Sequence, residues 1–439
     1  MGKIAAPRGT ADVYPPQSAR WQALEARIHA IAHRFGYGEI RTPAFESTEL
    51  FVRGVGETTD IVEKEMYTFL DKGGRSLTLR PELTAPVVRA LLEHSLLATG
   101  PQRLYYIGSF FRHERPQKGR FRQAHQFGVE CFGYAEPEAD VEVIALAYEV
   151  LRAYHVPGVV LRINSIGDES DRPAYRNALL HHFAPHRDAL SEDSRNRLER
   201  NPMRILDSKA PEDRDLVAAA PTFLASLSSA NRTHFETVCA LLDSIGLPYA
   251  IEPHLVRGFD YYTQTVFEFI SDKLGSQNAI CGGGRYDDLV GSLDGPATPG
   301  VGFGLGLERF LMLLDEMGAS GAAEREGIAV IALGEQARRR AFPLVAALRR
   351  RDDLDIPVVA DYGEGKLERQ LKRADRANVR AALILGDDEL ATGTIAVRDL
   401  IARAQVKLPT TLDAPDVAAG DVARWYQALR PASAIAEAS

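Results

Sequence analysis

Side chains suited to anion chemistry gather in a few otherwise apolar stretches of this chain. The run Leu255–Phe269, LVRGFDYYTQTVFEF, sets Arg257, Asp260, Tyr261 and Tyr262 together among Val, Phe and Leu. A half-buried strand alternates polar and apolar positions, so this cluster reads as a pocket strand, with an edge strand carrying a solvated Arg–Asp pair as the simpler alternative. Between two aromatic strands, Leu104–Arg112 and Gln126–Phe132, lies HERPQKGRFRQAH, which is polar, turn-rich and basic. So long and charged a hairpin loop is expected where the loop binds an anion, and is otherwise a solvated surface loop. Arg122, Gln126 and Glu130 recur at spacings of four, so on one strand they share a face. Glu82 and Thr84, just after the strand Ser76–Arg80, add a carboxylate and a hydroxyl. Arg112, Arg120, Arg257 and Arg309 complete the set, with no Ser-His-Asp spacing, metal-ligand cluster or GxxxxGK[ST] loop beside them. Guanidinium forks match phosphate oxygens, and fixed positive charge stabilises charge developing at phosphorus. The chemistry implied is phosphoryl or nucleotidyl transfer.

The elements that must position these groups follow from periodicity. Trp21, Leu24, Ile28, Ile31 and Phe35 recur at helical spacing and Gly36 ends that helix. A strand into proline, Tyr37–Pro43, follows, and PELTAPVVRALLEH opens a helix with Pro81 near its first turn. Val141–Tyr154 reads as a helix and Val159–Asn164 as a strand. From about 171 to 250 the chain turns polar, Arg-rich and helical, without strands; strands return at Tyr249–Glu252 and Ala279–Cys281. Gly300, Gly302, Gly304 and Gly306 alternate along an apolar strand, leaving one face clear for a flat ligand or another backbone. The glycine spacing does not fit a dinucleotide-binding βαβ unit. After a Gly/Ala/Glu-rich linker at Met317–Gly327, strands and helices alternate to a final helix near Val422–Leu429. The tail PASAIAEAS is expected to fray.

Composition limits the partners. The chain has 439 residues and a formal charge of −8, so no global basic field announces a nucleic acid; any such partner meets a local patch. One candidate is KLERQLKRADR, where Lys366, Arg369, Lys372, Arg373 and Arg376 make a partly basic helix face, a plain solvated helix being the alternative. Cys131, Cys239 and Cys281 form no CxxC pair and read as small buried hydrophobes. No signal-peptide core and no run of ~18 apolar residues is present, so a cytoplasmic protein without a membrane partner is expected.

The motifs GYGEIRTPAFE, LRPELTAP, FFRHERPQKGRFRQAHQFGVE, NPMRILDSK, LVRGFDYYTQTVFEF, GGGRYDDLV and GFGLGLERF, in that order, resemble the histidyl-tRNA synthetase family, class II aminoacyl-tRNA synthetases. The segment KLERQLKRADRANVRAALILGDDEL resembles that family's anticodon-binding domain. The resemblance implies an α+β catalytic domain built on an antiparallel sheet over 1–320, with a helical insertion at about 171–248. It further implies a C-terminal α/β mixed-sheet domain over 328–430 and a tail at 431–439. It implies use of ATP with Mg²⁺, a homodimer with Pro43 at its interface, and histidine and its tRNA as partners.

Residue by residue, it implies that Glu82, Thr84 and Gln126 hold the substrate α-amino group. Glu130 and Tyr261 would read the two imidazole nitrogens, with Tyr262 and Tyr286 shaping the pocket. Arg112 and Arg257 would bracket the α-phosphate and the attacking carboxylate, and Arg120 and Arg309 would take the outer phosphates. Glu114 is similar to the family's adenine or metal neighbour, the glycine-alternating strand would floor the ATP site, and Arg115, Gln117 and Lys118 would meet the tRNA acceptor end. No metal ligands are assigned. Two departures stand out: Ala124 occupies a position usually larger and often aromatic, which would leave base stacking weaker or to a ring such as Phe303, and Gln264 replaces a basic residue. A non-catalytic paralogue, the regulatory subunit of ATP phosphoribosyltransferase, shares the resemblance of the core but typically lacks the C-terminal domain.

Overall fold

The computed structural model describes every residue except 1–3, 57–58, 116–118, 209, 272, 274–278, 319–324, 362, 364 and 430–439. Most of the expected linker's centre, the tail, and Gln117 and Lys118 lie outside the described residues. The chain divides into two compact units, Met1–Ser320 and Gly321–Ser439.

In the first unit the strands are β1 (Gly38–Glu39), β2 (Phe45–Ser47), β3 (Tyr67–Leu70), β4 (Ser76–Leu79), β5 (Gln102–Phe111), β6 (Gln123–Phe132), β7 (Val159–Ser165), β8 (Tyr249–Ile251), β9 (Thr263–Ser271), β10 (Ala279–Arg285) and β11 (Gly300–Gly306). Eight of them form one sheet in the order β1-β5-β6-β11-β10-β9-β7-β8, and β2-β4-β3 make a small antiparallel sheet. The six central strands of the large sheet pair antiparallel, and only its two edges, β1 on β5 and β8 on β7, are parallel. Helices Gln17–Arg34, Pro137–Arg152, Ser229–Ser244 and Leu307–Glu316 supply one apolar layer, with Leu24, Ile28, Ile31, Val143, Ile144, Val238 and Phe310 buried against Phe127, Val129, Phe267 and Phe303. The i, i+3, i+4 spacing of Leu24, Ile28 and Ile31 explains that helix: it presents one apolar stripe to the sheet. The chain leaves it through Gly36 at φ +77°, a left-handed conformation that glycine adopts without strain.

The opposite layer contains the polar helical segment. Helices Arg172–Phe183, Glu192–Arg200 and Arg214–Ala218 gather on Tyr175, Leu179, Phe183, Leu198 and Phe223. Buried Asp213 accepts from Ser191 Oγ (2.7 Å), Ser194 Oγ (2.6 Å) and Ser208 Oγ, so the polar composition that marks the segment also closes its interior. Helix Ser229–Ser244 differs from the others, since its Phe235, Val238 and Leu242 join the main core on the other side.

The second unit carries β12 (Ile328–Ala332), β13 (Val358–Asp361), β14 (Ala381–Leu385), β15 (Thr394–Asp399) and β16 (Gln405–Pro409) in the order β13-β12-β14-β15-β16. Its first pairings are parallel and its last two antiparallel, a mixed sheet.

Several local expectations are corrected. The helix expected to start near Pro81 begins at Thr84, with Pro86 in its first turn. The strand expected to reach Pro43 stops at Glu39. AALILGDD is a strand only to Leu385; Asp387–Thr392 is a helix whose first turn holds Asp387, Asp388 and Glu389, where negative charge meets the unsatisfied amides. Leu255–Tyr262 is not strand at all: β9 starts at Thr263, and the cluster of polar groups rides on the loop before it.

Candidate active site

A cleft opens over β5, β6, β10 and β11, and it brings together most of the singled-out residues. Its walls include Glu82, Thr84, Arg112, Glu114, Arg120, Gln126, Arg257, Tyr261, Tyr262, Tyr286 and Arg309. Arg122 is not among them. The return strand begins at Gln123, one residue too late for the shared parity to act on Arg122, whose Nε instead donates to the Glu114 carbonyl.

At the deep end, behind the walls supplied by Thr84, Tyr106 and Tyr286 and not itself a wall residue, stands Glu130, 1% exposed, on β6. Thr84 Oγ1 (2.8 Å) and Tyr106 OH (3.1 Å) donate to its Oε1, and Tyr286 OH donates to its Oε2. Burial pushes the Glu130 carboxyl up to about 8, against the downward pull of those hydroxyls. Three donors leave the carboxylate with roughly one lone-pair site for a further partner. Glu82 is also buried and spends both oxygens on helix amides, accepting from Thr84 N (2.7 Å) and Ala85 N (2.9 Å). It therefore holds the helix start as well as lining the cleft. Burial raises Tyr261 and Tyr286 well above the ordinary phenol range, so both stay neutral donors.

The bare glycine face is not an empty floor. A Cβ at Gly302 would strike Glu130 Oε2 and Tyr286 OH, and one at Gly304 would strike the Gln126 side-chain amide. The glycines of β11 make room for side chains of the neighbouring strand, which then carry the polar surface. Phe303, a candidate base-stacking ring, is 3% exposed and packs edge-on against Phe127, in the core. Phe121, which sequence reasoning passed over, lines the cleft beside the small Ala124.

At the outer end the guanidinium groups converge. Arg112 donates through Nε to the Pro81 carbonyl (2.8 Å) and lies over the rings of Phe110 and Phe259. Arg120 Nη1 sits 2.8 Å from Glu114 Oε2. Arg309 is anchored on the Gly119 (2.9 Å) and Ala279 (3.1 Å) carbonyls, and its pKa is lowered by burial and by Arg120 nearby. The Arg257 guanidinium lies over Gly282, where any Cβ would strike both its terminal nitrogens. Its Nη1 is 3.8 Å from Glu268 Oε2, and its buried Nε has no hydrogen-bond partner among the described residues. So much positive charge in one cleft stores repulsion that a polyanion relieves. Arg115 is exposed and outside the cleft walls. No cluster of three or more His, Cys, Asp and Glu fit to hold a metal occurs among the described residues.

Sequence reasoning missed Tyr106, Phe259, Arg172 and Arg204. The last two touch the 255–262 loop from the helical segment: Arg204 Nη2 donates to Asp260 Oδ1 (2.9 Å) and Arg172 Nη2 to the Tyr262 carbonyl. Only the NPMRILDSK motif carried a hint of this.

A buried carboxylate-hydroxyl end joined to a multi-arginine end, on an antiparallel sheet, defines a class II synthetase-like catalytic unit. A family model described as histidyl-tRNA synthetase matches residues 9–310, and one described as an anticodon binding domain matches 327–412. The chain belongs to the histidyl-tRNA synthetase family. It is 49% identical over 409 residues to a histidine–tRNA ligase of Synechocystis sp., covering 93% of this chain and 91% of the relative. To one of Streptococcus pyogenes serotype M3 it is 46% identical over 410 residues, covering 92% and 96%. The crystal structure of apo S. aureus histidyl-tRNA synthetase superposes with a TM-score of 0.79 at 36% identity, covering 97% of this chain and all of that one.

Proposed function

We propose that this chain is a histidine–tRNA ligase that joins histidine to its tRNA through a histidyl-adenylate. The observation that carries this is the polarity of the cleft: one end sets tyrosines and Thr84 around a buried carboxyl, suited to a small polar ring, and the other gathers Arg112, Arg120, Arg257 and Arg309, suited to a triphosphate. Glu130 and Tyr261 read the imidazole nitrogens, within a wall shaped by Tyr262 and Tyr286. Thr84, Gln126 and Glu82 receive the α-amino group. A wrong side chain leaves a buried carboxyl and phenol unpaired, at a cost of several kcal/mol.

Arg112 and Arg257 flank the α-phosphate, and Arg120 and Arg309 take the outer phosphates as pyrophosphate leaves. The histidine carboxylate attacks the α-phosphorus in line, so the protein's work is positioning and charge stabilisation. In the second step the terminal ribose hydroxyl of the tRNA attacks the mixed anhydride. Mg²⁺ would accompany ATP, and Glu114, a residue of the cleft wall, would supply it one oxygen.

The tRNA acceptor end meets Arg115, together with Gln117 and Lys118 of the undescribed residues. The 328–430 domain meets the anticodon, where Lys366, Arg369, Lys372 and Arg376 are the exposed part of the basic helix face; Lys372 pairs with Glu368 (2.9 Å) and Arg373 is tied to Asp361 (2.9 Å). Homodimerisation is supported by apolar side chains left uncovered on the small sheet beside Pro43: Phe45 51%, Phe69 43% and Leu70 71% exposed. No helix among the described residues is long and apolar enough to cross a membrane, and we place the enzyme in the cytoplasm.

The regulatory-subunit alternative is less supported, because the anticodon-binding match is present and the cleft retains its recognising groups. The test is charging: purified protein with ATP, Mg²⁺, histidine and histidine tRNA forms histidyl-tRNA. Failure with active tRNA would return the non-catalytic alternative to first place.

A further inference from the structure

The proposed reaction gives Arg257 and Tyr261 substrates but leaves Asp260, between them, without one. The backbone around it has no strand partner, and its polar groups are met instead by side chains from outside the loop. Asn164 Nδ2 donates to the Pro253 (3.1 Å) and Leu255 (3.0 Å) carbonyls. Arg204 Nη2 donates both to the Gly258 carbonyl (2.9 Å) and to Asp260 Oδ1 (2.9 Å). Arg172 Nη2 donates to the Tyr262 carbonyl. From the far side, Gly56 at φ +104° presses on the same carboxylate: a Cβ there would lie 2.8 Å from Asp260 Oδ2.

The helical segment thus holds the loop at Gly258, Asp260 and Tyr262. The residues framed by those holds are Arg257, immediately before the first, and Tyr261, between the second and third. The same stretch of the helical segment reaches the other rim, with Arg200 Nη1 3.3 Å from Glu63 Oε1 and Arg197 Nη2 3.7 Å from Asp60 Oδ2.

We infer that Arg204 is a positioning residue for adenylate formation: by holding Gly258 and Asp260 together it sets Arg257 over the phosphate and Tyr261 over the imidazole at once. The inference rests on the roles proposed above for those two residues. One terminal nitrogen, Nη2, serves both acceptors here, and a lysine side chain ends one bond short of its position. Without it the Gly258 carbonyl and the Asp260 carboxylate lose their shared donor, and the loop is free to shift. Reacting groups displaced by ~1 Å lose on the order of 100-fold in rate.

The test is histidine-dependent ATP–pyrophosphate exchange by the full chain, with thermal unfolding recorded on each variant. For Arg204→Ala we expect kcat to fall about 100-fold and the histidine KM to rise about 5-fold with the unfolding midpoint nearly unchanged. Added guanidinium ion restores part of the loss, whereas Arg204→Lys recovers little. Asp260→Asn, which keeps side-chain volume, falls about 10-fold, and the double variant is no worse than Arg204→Ala alone. Should Arg204→Ala not fold, Asp260→Asn and Gly56→Ala, which disturbs the carboxylate from the other side, still report through the same KM and kcat split.

Exchange by Arg204→Ala within about two-fold of the parent overturns the inference, as does additivity of the Arg204 and Asp260 effects. A loss that tracks only the unfolded fraction, with KM unchanged and no guanidinium rescue, makes Arg204 merely structural and overturns it too. Absence of exchange in the parent protein strikes instead at the proposed function.

Discussion

The two ends of one cleft are built by opposite means. At the histidine end, Gln126 and Glu130 stand on β6 with ladder partners on both sides, Tyr106 stands on β5 and Tyr286 directly follows β10, so that only Tyr261 comes from a loop. At the phosphate end, Arg257 rides on a loop without ladder partners, and Arg112, Glu114 and Arg120 lie between the paired stretches of β5 and β6. Selection among similar side chains needs a rigid, fully satisfied pocket, since an unpaired buried group is what rejects the wrong one. Binding a triphosphate and releasing pyrophosphate asks for charges that can approach and withdraw, which loops permit.

If the division is real, substitutions at the two ends fail differently. Arg257→Ala is the largest expected effect: adenylate formation slows by about 10²–10³-fold while calorimetric histidine affinity stays within a few-fold of the parent. Retention of near-normal exchange would remove Arg257 from the reaction. Glu130→Gln inverts the pattern. Histidine affinity drops by about 10-fold or more as the carboxyl that meets the imidazole is replaced by an amide, and an unchanged dissociation constant refutes the recognition role. Gly302→Ala tests the floor between them. Its Cβ collides with Glu130 and Tyr286, so we expect weaker histidine binding together with about 1–3 kcal/mol of lost stability in urea unfolding.

A further test is a pH dependence of the ligand-free protein. The Glu130 carboxyl titrates near 8 when folded, against about 4.3 when exposed. Between those values the folded state keeps a proton that the unfolded chain has released, so stability falls as pH rises through the window and levels off above it. Urea midpoints from about pH 5 to pH 9 should show this slope in the parent and a shallower one in Glu130→Gln, the raised carboxyls of Glu82 and Asp287 keeping the remainder. A slope unchanged by the substitution places the titration elsewhere.

The sequence made the identities of the site legible because each lies in a short motif whose chemistry is local: Arg257 and Tyr261 in one, Glu82 and Thr84 in another, Gln126 and Glu130 at one parity. Parity failed at Arg122 because the strand begins one residue later. Glycine alternation told correctly of a face without side chains but not of what fills it, since Glu130 and Gln126 reach across from the next strand. LVRGFDYY read as strand because Val, Phe and Tyr favour strands, yet Gly258 and the holds on Gly258, Asp260 and Tyr262 keep it out of the sheet. No local pattern reveals that Arg204 meets Asp260, 56 positions away along the chain. Long-range side-chain pairing carries no periodicity.

The central claim is that the cleft joins a histidine reader to a nucleotide-activating arginine cluster. ATP–pyrophosphate exchange run in parallel with each of the standard amino acids tests it most directly. Exchange is expected with histidine and only background with the others; exchange driven by a different amino acid, or by none, rules this reading of the cleft out.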